Sequence, residues 1–194
     1  MKSVFSLGSV LGIICFAAAA LLAVVNAMTS DRIQAQADAE LRQSLQEVMA
    51  DGVRFEPVSA NGQILYYKVT ASDGRVVGAA FKASAKGYSS RIDTIVGMKP
   101  DGTINAVKIV SQQETPGLGS RITEIADTLS LWDFFRGRRR QAGSRPWFQA
   151  QFDGKAVSEI ATVQAITGAT ISSQAVIDSV KHKAGHIQAV LRNE

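Results

Sequence analysis

Between Val4 and Val25 the chain runs for 22 residues without a charged side chain. Wound as an α-helix at about 1.5 Å per residue, that stretch would reach roughly 33 Å, the thickness of a bilayer's hydrocarbon core. So apolar a segment either stays in a membrane or is removed. Val25-Asn26-Ala27 fits a small-residue signal cleavage site, but secretory signals usually have apolar cores of only about 7–15 residues. The longer run favours a retained anchor over residues 1–27. Lys2 and the terminal amine lie on its short side, and only Arg32 and Arg42 follow closely on the other. That small asymmetry directs the folded part outward.

Beyond the anchor the chain has room for one domain of ordinary size. With 20% charged and 46% hydrophobic residues it reads as globular. The one cysteine, Cys15, lies inside the apolar run. The folded part can therefore hold no internal disulfide, no cysteine-ligated iron–sulfur cluster and no thiol nucleophile, which suits an oxidising compartment. Arg136, Arg138, Arg139, Arg140 and Arg145 more than account for the net charge of +4, so the chain is near neutral with one basic loop.

Thr29-Ser30-Asp31 carries helix-start chemistry, and Ile33, Ala37, Leu41, Leu45 and Val48 recur every three or four residues. The spacing predicts an amphipathic linker helix within residues 28–52, stopped by Asp51-Gly52, that lifts the domain (residues 53–194) off the membrane and packs onto it. Two hairpins follow. Ile64–Thr70 and Arg75–Phe81 flank Ser72-Asp73-Gly74, and Ile92–Met98 and Thr103–Val110 flank Lys99-Pro100-Asp101-Gly102. A short helix is expected around Arg121–Thr128, an aromatic turn at Leu131–Phe135, and strands near Phe148–Asp153 and Ser158–Ile166. A terminal helix from near Ser172 places Val176, Val180, Ala184, Ile187 and Leu191 on one face, to pack on the sheet. The expected class is α+β, a mainly antiparallel sheet packed with helices.

Chemistry concentrates in small-residue segments. Thr167-Gly168-Ala169-Thr170 sets a hydroxyl beside a glycine-loosened turn at the entrance of the terminal helix, where free N–H groups favour phosphate. That pattern suggests a phosphate-linked threonine; the plain alternative is a helix cap. Glu114-Thr115-Pro116-Gly117-Leu118-Gly119 combines a fixed proline angle with two glycines, a loop able to lie flat against a planar ligand or to be only a surface turn. Lys86-Gly87-Tyr88-Ser89-Ser90 is a third small-residue loop, with an aromatic in it. His182 and His186 stand four apart, a metal-ligand spacing, but no third histidine or cysteine of the domain completes a site, so no metal is expected. The basic loop is flanked by Trp132, Phe134, Phe135, Trp147 and Phe148. On a tethered domain, lipid headgroups, an acidic partner or plain solvation explain it more simply than nucleic acid.

Together, the anchor, Gly87-Tyr88-Ser89, the Glu114–Gly119 loop and Ile166-Thr167-Gly168-Ala169-Thr170-Ile171-Ser172-Ser173 resemble the G subunit of the Rnf electron-transport complex. Its relative, the C subunit of the sodium-pumping NADH:quinone reductase, shares the flavin-binding domain; the chain length and the form of the glutamate-threonine-proline loop look more like Rnf. The resemblance implies FMN joined through its phosphate to Thr170 by a separate flavin transferase, which takes it from FAD with magnesium. It also implies a single-pass protein of the bacterial inner membrane with its domain facing the periplasm or exterior. There it would carry electrons, without turnover of its own, beside the other subunits of an ion-translocating ferredoxin:NAD oxidoreductase. Thr167, Gly168 and Ala169 complete the attachment motif. Thr115, Gly117, Leu118, Gly119 and Tyr88 are the expected contacts of the flavin, and Lys155 is a candidate to neutralise the phosphodiester. The family pattern has an acidic residue six positions before the modified threonine, where this chain has Gln164. The remaining alternatives are the equivalent subunit of a sodium-translocating NADH:quinone reductase and a membrane-tethered basic binding module without flavin.

Overall fold

The computed structural model describes residues 2–60, 62–125 and 145–192, with side chains from residue 8 onward. They fall into two compact units, Met1–Gln43 and Ser44–Glu194.

The first unit is helical. Helix α1 spans Lys2–Val48 without a break, and its residues from Ser44 onward belong to the second unit. The helix start expected at residues 29–31 does not form. No glycine or proline interrupts residues 13–48, and the candidate caps turn back onto the helix that holds them. The Thr29 hydroxyl donates to the Val25 carbonyl at 2.7 Å and Ser30 to that of Ala27 at 3.3 Å. The helix is long and apolar enough to cross a membrane. Of the face expected to be apolar, Leu45 and Val48 are buried, while Ile33 is 58% exposed.

The second unit is built on a five-stranded antiparallel meander, in the order β1 (Arg54–Ala60), β2 (Gln63–Thr70), β3 (Val76–Lys86), β4 (Arg91–Met98) and β5 (Ile104–Ser111). Both expected hairpins are present, β2–β3 and β4–β5, and their turns share one device. The Asp73 carboxylate accepts from the Arg75 N–H at 3.0 Å, and Asp101 from the Thr103 N–H at 2.8 Å, each with a left-handed glycine between.

Each sheet face is covered. Helix α3 (Thr170–Leu191) lies on the face carrying Phe81, Ala83, Ile92, Val96 and Ile109, through Val176, Ile177, Val180, Ala184 and Ile187. The end of α1 closes the other face. A Cβ on Gly97 would strike the Val48 carbonyl, which instead accepts from Asn105 Nδ2 at 2.7 Å; Lys108 pairs with Glu47 at 2.7 Å. A terminal carbonyl of the helix is thus satisfied from the sheet.

The two strands expected near Phe148–Asp153 and Ser158–Ile166 are absent. Helix α2 (Trp147–Ala150) follows Pro146, and Phe148 and Phe152, four residues apart, meet edge to face at 5.6 Å. A 3-10 turn occupies Val157–Thr162, and Ile160, Val163 and Ile166 are buried at every third position. Both stretches have turn-like periods rather than the alternation of a strand. Where the short helix is expected, around Arg121–Thr128, the described part forms a 3-10 turn at Gly119–Thr123; residues 126–128, Leu131–Phe135 and Arg136–Arg140 lie outside the described residues.

Candidate functional site

Three segments meet at one end of the sheet. The β3–β4 connection turns tightly, with the Gly87 N–H donating to the Ser90 carbonyl at 2.8 Å. Past β5 the chain makes a second turn, in which the Leu118 and Ser120 N–H groups both donate to the Thr115 carbonyl. The third segment, Val163–Ala169, leads into α3.

Glu114, at the head of the second segment, ties it to the first and to the opening turn of α3. Its side chain is buried, yet both oxygens are occupied. Oε1 accepts from the N–H groups of Ser89 (3.1 Å) and Ser90 (2.8 Å) and from the Ser90 hydroxyl (3.0 Å). Oε2 accepts from the Tyr88 N–H (3.1 Å) and, at 2.6 Å, from the Ser172 hydroxyl in the first turn of α3. Burial by itself would raise the carboxyl's pKa, but donation from Ser172, Ser90 and Ser89 outweighs it and holds the group below the ordinary glutamate value. Gly119 makes room for this knot, since a Cβ there would lie 2.5 Å from Glu114 Oε2 and 2.8 Å from Ser172 Oγ.

Between these segments opens a cleft of about 290 Å³, lined by Tyr88, Thr115, Leu118, Gly119, Gly168, Ala169, Thr170, Ile171 and Ser172. Tyr88, Leu118 and Ile171 are all more than half exposed on it. Gly168 turns the chain into the helix with φ at +83°, a conformation that costs other residues dearly. The helix cap is Ala169, which has no side-chain oxygen. Thr170 is the first helical residue, and its exposed hydroxyl makes no hydrogen bond among the described residues. The polar work at this helix start falls instead to Ser173, whose hydroxyl accepts from the Ile166 N–H at 3.1 Å. Thr170 is therefore not spent as a cap.

Seven of the expected site residues share this cleft: Tyr88, Thr115, Leu118, Gly119, Gly168, Ala169 and Thr170. Gly117 and Thr167 adjoin it in the chain without lining it; Gly117 donates to Ser120 Oγ, and the Thr167 carbonyl accepts from Arg121. Lys155 is not brought there. Its carbonyl pairs with the Ile104 N–H at the start of β5, and its ammonium donates to Thr162 Oγ1 at 2.9 Å. The cleft loop follows the other end of that strand, roughly 23 Å away at about 3.3 Å per residue. Gln164 is exposed, with its backbone paired to the Gln151 side chain in both directions. His182 and His186 are exposed on α3, and no metal-ligating cluster occurs among the described residues.

Sequence patterns do not single out the roles of Glu114, Ser172 and Arg121. The spacing of Glu114 ahead of two glycines is the available signal, since glycines beside a lone acid mark close packing around it.

Comparison with known proteins matches residues 87–184 to the FMN-binding domain family and residues 1–48 to the RnfG N-terminal region. The G subunit of the ion-translocating oxidoreductase complex of Methanosarcina acetivorans is 30% identical, across 91% of this chain and 90% of that one. The chain belongs to the Rnf G-subunit family. Within that family, the G subunit of the proton-translocating ferredoxin:NAD(+) oxidoreductase complex of Clostridium ljungdahlii is 31% identical across 93% of this chain and 89% of its own. The Na(+)-translocating counterpart from Acetobacterium woodii is 29% identical across 92% and 89%. Among solved structures, that of Shewanella oneidensis NqrC covers 76% of this chain and 74% of its own, with 18% identity and a TM-score of 0.47. All nine described lining residues of the cleft in this Rnf G-subunit family member lie inside the matched FMN-binding region.

Proposed function

We propose that this chain is a membrane-anchored flavoprotein subunit of an ion-translocating ferredoxin:NAD oxidoreductase complex, carrying FMN esterified through its phosphate to Thr170 Oγ1. The observation that carries the reading is the Thr170 hydroxyl, exposed in the cleft and free of the capping role its position invites. The cleft residues fit the group. Tyr88, Leu118 and Ile171 offer apolar surface to a flat ring, and the left-handed glycine at 168 leaves the backbone open beside the attachment point.

FMN, when bound, supplies the redox chemistry, and the protein supplies position and local field. Attachment by a flavin transferase would form a bond from Thr170 Oγ1 to the FMN phosphorus of FAD and break the pyrophosphate linkage. AMP leaves, and the hydroxyl proton is released. A covalent tether suits the outer face of a membrane, where the concentration of free flavin would otherwise limit occupancy. The domain then faces the periplasm or exterior, with α1 as its single span, lipid around that helix and the other subunits of the complex as partners. The family match favours this over a flavin-free binding module. Arg145, one member of the basic loop, is drawn into the fold: it pairs with Asp153 at 2.7 Å and donates to the Val107 carbonyl at 2.9 Å on the edge of β5.

The test is full-length protein co-expressed with a flavin transferase and run on a denaturing gel under ultraviolet light. A fluorescent band, lost in Thr170→Ala, and an intact mass raised by one FMN are the expected results. A dark wild-type band, or peptide mapping that places the group on another residue, would overturn the assignment.

A further inference from the structure

None of the nine described residues lining the cleft is charged, although a phosphodiester on Thr170 would bring one negative charge to its wall. Lys155, the cation expected to balance it, lies elsewhere. The basic side chain bonded to the attachment motif is Arg121. Its Nη1 donates to the Thr167 carbonyl at 2.9 Å, and a Cβ built on Gly168 would lie 4.0 Å from that same nitrogen. The guanidinium thus runs alongside the glycine two positions before Thr170.

Its base is held firmly. Arg121 sits in the 3-10 turn Gly119–Thr123, its N–H donates to the Leu118 carbonyl, and the next residue, Ile122, is fully buried. Its far end is under-used among the described residues. A guanidinium carries five donors, of which one is occupied by Thr167. The acid it pairs with, Glu124, is 3.7 Å from Nε, and both partners are about half exposed, so that pair is weak. A fork with free donors is suited to phosphate oxygens, where arginine binds by shape as well as charge.

We infer that Arg121 is the phosphate-contacting residue of the FMN site, holding the phosphodiester of Thr170 while its Nη1 fixes the Thr167 carbonyl. This rests on the assignment of Thr170 as the attachment point. Neutralising the incoming phosphate favours attachment, and holding it afterwards fixes how the flavin lies in the cleft.

The test uses full-length protein in detergent micelles, purified without flavin and then incubated with a flavin transferase, FAD and magnesium. Intact mass follows the attached fraction over time, and visible circular dichroism of the loaded protein reports the flavin's orientation. Arg121→Gln keeps a donor for Thr167 but removes the charge; Arg121→Lys keeps the charge; Arg121→Glu reverses it. The expected order of attachment rate is wild type, Lys, Gln, Glu, with Gln slower by about tenfold and a changed flavin dichroism in whatever fraction loads. A purely structural arginine would instead let Gln match wild type and place Lys and Glu together, which overturns the inference. If the wild type loads at Thr170 while Gln and Glu load equally well, the phosphate role fails and the site assignment stands. If the wild type does not load, both fail together.

Discussion

The carboxylate of Glu114 accepts five hydrogen bonds from two separate parts of the chain, the Tyr88–Ser90 loop and Ser172. Removing its charge leaves the part-buried loop donors and the buried Ser172 hydroxyl facing an amide that must present its own N–H groups to some of them. Glu114→Gln should therefore lower stability by about 2–3 kcal/mol at neutral pH, read from urea unfolding. The pH dependence follows from the sign of the shift. The folded pKa lies below the unfolded one, so the unfolded chain binds more protons between the two. This contribution is complete above the unfolded value of about 4.3 and is lost as pH falls through the folded value. Wild type should lose more stability than Glu114→Gln between neutral pH and that acid range; parallel profiles would refute the role. A place on the cleft was legible where a motif pointed at the residue, as with Thr170, Leu118 and Tyr88. Ser172 and Arg121 escaped because their partners lie 58 and 46 residues away in the chain, and no local pattern announces such pairings.

Among the elements, the hairpins were readable because Asp-Gly turns act locally, each aspartate bonding an N–H two residues on. The stretch from 147 to 166 was not. Its buried apolar residues, Phe148, Phe152, Ile160, Val163 and Ile166, are spaced by three and four within each segment, and mixed apolar runs of that kind are ambiguous until the surrounding packing decides. The linker is helical as expected, but its separate start at residues 29–31 failed for a different reason: Thr29 and Ser30 can cap a helix or bond back within one, and an uninterrupted sequence selected the second. How α1 ends on the sheet gives a prediction at this level. Gly97→Ala forces a methyl against the Val48 backbone carbonyl, which cannot swing away, and against Met49, and should cost about 2–4 kcal/mol in thermal unfolding. Lys108→Ala, which removes only the partly exposed pair with Glu47, should cost less than about 1 kcal/mol. Equal losses would mean that the ion pair, and not the close approach, secures the junction.

For the whole molecule, basic charge is unevenly spread along the sequence. Among the described residues the cleft has no charged lining side chain, and the near-neutral remainder of the sequence contrasts with the run Arg136–Arg140. Replacing Arg138, Arg139 and Arg140 by serine should leave flavin attachment at the wild-type level while weakening membrane contact or assembly of the complex. In-gel fluorescence beside detergent extraction or co-purification checks both halves, and loss of attachment would mean that the basic loop serves the cofactor directly. The anchor and the antiparallel class were visible from the uncharged run and the turn residues, because both depend on patterns short enough to lie within one segment. The way the domain closes on the end of α1 was not, since it depends on glycine at 97 and asparagine at 105 meeting a helix that ends about fifty residues earlier.

The placement of Thr170 at the opening residue of α3 has one more consequence. That helix is seated along its whole buried stripe from Val176 to Ile187. A flavin esterified there would have its phosphate anchored to a rod that cannot itself swivel, while the ribityl chain between phosphate and ring would keep its rotatable bonds. The anchor point would tumble with the body of the protein, and the walls of the cleft, not the ester bond, would set the heading of the ring toward whichever neighbour exchanges electrons with it.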